Sequence, residues 1–134
     1  MSQENILDKV KKLRELTGVG FKDCKDAIDK NNGDIEKSIS FLRKKGIAKA
    51  SQKMERVAAD GLVCICEKKN KFSIIEVNSE TDFVAKNNEF IKFVEELSEL
   101  ALLNSGIMED ILASKMKNKK NVKDNLVDLI SKIG

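Results

Sequence analysis

The chain has 134 residues, 41% of them apolar and 35% charged, with 25 basic and 22 acidic side chains and a net charge of +3. That length holds one modest domain, or one domain with a small helical module, and the mix is that of a soluble globular protein instead of a disordered tail. No apolar run approaches the roughly 20 residues that span a bilayer, and the two charge signs alternate along the chain, which reads as a solvated surface and not as a nucleic-acid footprint.

The start, Met1-Ser2-Gln3-Glu4-Asn5, is polar and carries an acid, so neither a secretory signal nor an Arg-rich transit peptide is expected, and a cytoplasmic location follows. There is no histidine, tryptophan or tyrosine. The commonest general base is therefore missing. The cysteines are Cys24, Cys64 and Cys66. An odd number without an export signal argues against a disulfide framework, and the Cys64-x-Cys66 pair lacks nearby third and fourth ligands for a metal. They are read as small apolar side chains in a reduced cytoplasm, with no metal and no cofactor expected.

The first fifty residues predict three short helices. Ile6, Val10 and Leu13 recur at helical spacing with Leu7 and Leu16 beside them, and Thr17-Gly18 supplies the stop. Phe21, Cys24 and Ile28 mark the inner face of a second helix ending near Asn32-Gly33. Asp34 is placed to cap a third, with Ile35, Ile39 and Leu42 facing inward and Gly46 ending it. The next stretch, up to Asp60, is rich in helix formers and predicts a helical or partly ordered arm. Leu62-Val63-Cys64-Ile65-Cys66 and Phe72-Ser73-Ile74-Ile75-Glu76-Val77, joined by the polar Lys68-Lys69-Asn70-Lys71, predict a β-hairpin. Asn88 to Asn104 has the clearest helical stripe: Phe90, Val94, Leu97 and Ala101. Two further helices are expected around Met108–Met116 and Val122–Ile133. The lysine run from Lys115 to Lys120 reads as a solvated turn, with a phosphate or RNA contact as the sharper but weaker alternative.

Two stretches carry candidate functional residues. In the first, Leu13 to Ala27, a helix ends, a Gly18-Val19-Gly20 turn follows, and a second helix starts. This is no dinucleotide fingerprint, because it lacks the preceding strand, the third glycine and the distal acid. The turn leaves Val19 and Phe21 near the surface of a very small bundle, where Phe21 either caps the core or meets a partner. The second is Val77-Asn78-Ser79-Glu80-Thr81-Asp82-Phe83-Val84-Ala85-Lys86-Asn87. Ser79 or Thr81 suits a helix cap, Asp82 complements the helix dipole, and Phe83 with Val84 forms either a hydrophobic staple or a presented aromatic wedge beside a carboxylate.

Leu13-Arg14-Glu15-x-Thr17-Gly18-x-Gly20-x-x-Asp23-Cys24-Lys25-x-Ala27, then Asn32-Gly33-Asp34-Ile35-Glu36, Val57-Ala58-Ala59-Asp60-Gly61 and Glu76-Val77-Asn78-x-x-Thr81-Asp82-Phe83-Val84-Ala85-Lys86 closely resemble bacterial elongation factor Ts. The four blocks stand in order across residues 13–87. The resemblance implies an α+β fold: a ubiquitin-associated-like three-helix docking module at residues 1–50, a connector at 51–60, and a helix-covered β-hairpin core subdomain at 61–134. It implies that elongation factor Tu is the partner and that this chain promotes its exchange of GDP for GTP, as a binding protein and not an enzyme. Arg14, Val19, Gly20, Phe21 and Lys22 would lie at the docking contact. Thr81, Asp82, Phe83 and Val84 would intrude beside the partner's magnesium site, with Phe83 as the wedge and Asp82 helping to hold it. Family members continue past Lys132-Ile133-Gly134 with another strand, a second related subdomain and often a coiled-coil protrusion. The expectation is therefore an incomplete core with an open strand edge: a fragment, or a short form that borrows a strand from another copy as a homo-oligomer. No direct nucleic-acid or membrane partner is expected. The competing readings are a ubiquitin-associated-like adaptor that uses only the Gly18–Phe21 turn, an RNA-binding translation protein, and, weakest, an enzyme relying on unsupported cysteines and hydroxyls.

Overall fold

The computed structural model describes residues 5–53 and 55–134; the polar stretch at residues 1–4, and Met54 within the expected connector, lie outside the described residues. The chain divides into two units, one holding residues 5–53 with Ile130–Gly134, the other Glu55–Leu129.

In the first unit α1 (Ile6–Thr17), α2 (Phe21–Lys30) and α3 (Ile35–Lys53) pack on one another. Their shared core is Val10, Leu13, Val19, Cys24, Ala27, Ile28 and Leu42, with Ile35, Ile39 and Phe41 against it. α1 stops because Gly18 takes the left-handed conformation (φ 66°) that lets its N–H reach the carbonyl of Arg14, 2.7 Å away. Asp34 caps α3 as expected, its carboxylate accepting the Lys37 N–H at 2.9 Å. Two expectations fail here. Ile6, Leu7 and Leu16 are exposed, because only Val10 and Leu13 on α1 turn fully toward so small a core. Gly46 does not end α3, which runs on to Lys53. Gly46 is buried, and a side chain there would collide with Ser131, so this glycine serves close packing instead of a helix stop. The helix also continues because Lys45 and Lys49, one turn apart, both reach Asp23 on α2, at 2.7 and 2.8 Å.

In the second unit β1 (Asp60–Lys68) and β2 (Lys71–Ser79) form an antiparallel hairpin in register from Asp60↔Ser79 to Lys68↔Lys71. The strands are longer than their apolar runs. Their turn residues Lys69 (φ 48°) and Asn70 (φ 64°) both have positive φ, the pattern that matches strand twist in a two-residue hairpin loop. A one-turn helix α4 (Asp82–Ala85) leads to α5 (Asn88–Leu102), whose Phe90, Phe93, Val94, Leu97 and Ser98 are buried. α5 packs on both strands. It covers the face bearing Leu62, Cys64, Cys66, Ser73, Ile75 and Val77 and leaves Val63, Ile65, Phe72 and Ile74 exposed on the other. α6 (Met108–Ala113) and α7 (Val122–Ile133) follow, and the lysine run between them is a turn closed by a Lys115↔Asn121 bridge and an N–H···O bond from Met116 to Lys120. The fold is α+β, as the sequence predicts. Among the described residues the sheet has two strands and no helix is long and apolar enough to cross a membrane.

Gly61 sets the start of the hairpin. Its φ is 146°, and a Cβ there would meet the Val77 carbonyl and lie 2.8 Å from Asn78 Cα, both backbone that cannot swing aside. Gly61→Ala is therefore expected to destabilise the second unit by about 2–4 kcal/mol, read as a lower urea midpoint. Asp23 gives a second test. Hydrogen bonds from Lys45 and then Lys49 hold its carboxyl below the ordinary carboxylate value. Its contribution is thus complete above the unfolded value of about 3.9 and is lost as pH falls through the lower folded value. Asp23→Asn should cost about 1 kcal/mol near neutrality, since the lysines are partly exposed. In urea titrations that gap should persist down to about pH 5 and close only below about pH 4.

Candidate partner-binding sites

The stretch after β2 is built to be stiff. Ser79 is buried and its hydroxyl donates to the Thr81 carbonyl at 2.8 Å. Thr81, in extended conformation, is the cap of α4: its Oγ1 accepts the Val84 N–H at 3.4 Å. Ala85 is buried and Val84 half-buried, so one side of the turn is pinned to the unit. Asn87 then caps α5, accepting the N–H groups of Glu89 and Phe90 at 2.9 and 3.3 Å. Between these anchors Phe83 is 80% exposed. The staple reading is thereby excluded: an aromatic that stapled the helix would be covered. Asp82 does not touch Phe83 through any hydrogen bond; its carboxylate pairs with Lys86 one turn on, at 3.0 Å. That pair is exposed and braces the turn only weakly.

Arg56 reaches back to this end of the hairpin, its guanidinium 3.3 Å from the Glu80 carboxylate. The next residue, Val57, is another exposed large apolar side chain. The sequence places Val57 in the Val57–Gly61 block but assigns it no surface role, because one valine in a polar arm carries no periodic signal.

In the first unit the Thr17–Phe21 turn is closed from inside. Thr17 Oγ1 donates to the Leu13 carbonyl at 2.7 Å, the Val19 N–H points at Thr17 Oγ1 at 3.3 Å, and the Cys24 thiol donates to the Val19 carbonyl at 3.4 Å. Burial pushes the Cys24 thiol up, away from the reactive thiolate. Val19, expected near the surface, is 9% exposed and belongs to the core. Phe21, expected on the inner face of its helix or at the surface of the turn, is 45% exposed. Arg14, Gly20 and Lys22 are exposed as well. Leu16, expected beside the helical stripe of α1, is exposed as well. Four of the five expected docking residues are thus exposed, on the end of α1, the turn and the start of α2, and the fifth, Val19, is buried beneath the turn. Among the described residues no group of three or more His, Cys, Asp or Glu side chains could hold a metal ion.

Residues 80–134 match the family model described as "Elongation factor TS". Over 127 residues, 95% of this chain, it is 44% identical to the "Elongation factor Ts" of Malacoplasma penetrans (strain HF-2). Over 125 residues it is 46% identical to the protein of the same name from Maricaulis maris (strain MCS10). The chain belongs to the elongation factor Ts family. It spans 43% and 40% of the lengths of these two relatives. The match to elongation factor Ts takes in both candidate surfaces, since it extends over nearly the whole chain, and the family model itself begins at the strand-to-helix junction that carries Phe83.

Because Phe83 makes little use of the core, Phe83→Ala should move the folding free energy by no more than about 0.5 kcal/mol. A thermal melt of the variant overlaying that of the parent chain is the expected result.

Proposed function

We propose that this chain binds elongation factor Tu and speeds exchange of its GDP for GTP, acting in translation elongation as a binding protein and not as an enzyme. The observation that carries this reading is Phe83: a large aromatic, 80% exposed, fixed on a capped turn at the end of a strand, in a chain of the elongation factor Ts family. In this reading residues 1–50 dock on the nucleotide domain of the GTPase through Arg14, Gly20, Phe21 and Lys22, with Val19 supporting the turn. Residues 51–60 connect, and residues 61–134 present Thr81, Asp82, Phe83 and Val84. Thr81 fixes the start of the turn, Asp82 restrains it through Lys86, Val84 anchors it, and Phe83 inserts. The setting proposed for this work is the cytoplasm.

The physical logic requires no acid, base or nucleophile. Magnesium bridges phosphate oxygens and neutralises their charge, so displacing it from the GTPase weakens the hold on GDP. Binding energies are linked: whatever factor this chain imposes on GDP, GDP imposes on this chain. A loosening of about a thousandfold needs roughly 4 kcal/mol of preference for the nucleotide-free partner. An aromatic that is solvated in the free chain and buried only against a partner is the kind of residue that supplies such a difference.

The test is release of fluorescent GDP from elongation factor Tu, chased with excess unlabelled GTP. Addition of the chain should accelerate release, and Phe83→Ala should remove most of that acceleration while a pull-down still recovers the pair. Phe21→Ala should instead weaken the pull-down. A folded chain that neither binds nor accelerates release would refute the proposal. Binding without acceleration would leave docking standing and refute the exchange role of this length of chain.

A further inference from the structure

The far end of the second unit carries a surface that the proposed function does not use. The hairpin tip, the last turns of α5 and the start of the lysine turn enclose an open cleft of about 900 Å³. Its apolar lining is Leu100, Leu102, Leu103 and Met116. Leu103 is 85% exposed, directly after a helix whose inner face is otherwise well buried. Around this lining stand Lys68, Lys69, Lys71 and Lys115. Among the described residues none of these four lysines forms an ion pair. The two carboxylates in the wall are already engaged by one residue: Glu96 accepts the Lys117 N–H at 2.6 Å, and Glu99 lies 3.9 Å from the Lys117 ammonium. The lining therefore carries an excess of positive charge, five lysines against two carboxylates, beside an exposed leucine.

We infer that this cleft docks an acidic amphipathic helix of a partner protein, its apolar side chains seated on Leu100, Leu103 and Met116 and its carboxylates on the four lysines. Charge complementarity selects an acidic occupant, and the apolar lining requires leucine-like side chains at helical spacing to cover it. Lysine suits the rim because its aliphatic stem extends the apolar wall while its ammonium stays in water. RNA is disfavoured because no aromatic side chain lines the cleft to stack a base. The nine residues of β2 separate the cleft from the Phe83 turn by about 26 Å of extended chain, so the two surfaces can be occupied independently.

The experiment titrates the isotope-labelled full chain with a synthetic four-turn helical peptide carrying leucine at i, i+3, i+4 and i+7 and glutamate elsewhere, followed by amide chemical shifts. Saturable changes confined to Lys68–Lys71, Leu100–Leu103 and Lys115–Lys117 are expected. Affinity should fall by about tenfold or more in K69E/K115E and in L103S, and for the same peptide with glutamine in place of glutamate. The variants' own spectra confirm their folding. No saturation, changes located elsewhere, equal binding of the glutamine peptide, or tighter binding of an oligouridylate at the same lysines would each overturn the inference. K69E/K115E should leave stimulated GDP release unchanged and Phe83→Ala should leave peptide binding unchanged, so failure of one reading is distinguishable from failure of the other.

Discussion

A two-stranded hairpin does not hold its shape alone in water, and the packing of α5 across one face of β1 and β2 is the contact on which the second unit depends. Phe90, Phe93, Val94 and Leu97 leave water there. Each such side chain contributes about 1.5–3 kcal/mol as an upper figure, against the backbone entropy of ordering eighteen strand residues. Ser98 adds direction to that greasy contact. Its hydroxyl receives the Cys64 thiol from β1 at 3.3 Å, and its carbonyl receives the Ser73 hydroxyl from β2 at 2.6 Å. One helical residue thus ties both strands, and a hydrogen bond to a half-covered site fixes register where apolar packing alone would tolerate a slide.

That fixed register decides where the strand ends and hence where Phe83 stands. Asp60 pairs with Ser79, Ser79 bonds to Thr81, and Thr81 caps the single turn that carries the aromatic. A turn of four residues has no helical stability of its own. Here it is held at both ends, by the Thr81 cap and by the Asn87 cap of α5, with Ala85 buried beneath it. Exposing a phenylalanine forgoes the hydrophobic gain of covering it, so its position is an unspent binding free energy that a complementary pocket would release. Stiffness matters as much as exposure, because a side chain already ordered in the free chain loses less entropy on binding.

The helical unit follows a different design. Its core is small, and its turn is secured by side chain to backbone bonds from Thr17 and Cys24 while Asp23 draws α2 and α3 together through two lysines. Val19 inside and Phe21 outside the same turn show how a very small bundle divides its apolar residues: one closes the core and the other remains on offer.

Much of this was written in the residues themselves. Gly18, Asp34, the alternation in β1 and β2 and the stripe of α5 are local signals, set by backbone sterics and by periodicity, and each appears where chemistry places it. The four motif blocks likewise fixed the family. What local pattern could not decide was which apolar residues a neighbour would cover. Ile6, Leu7 and Leu16 keep helical spacing yet face water, Val19 looks like a surface turn residue yet fills the core, and Gly46 looks like a helix end yet admits Ser131. The same holds for Phe83, which as a string of letters suits a staple as well as a wedge. Burial is a property of the space around a side chain, and only the packing of distant segments creates or withholds that space.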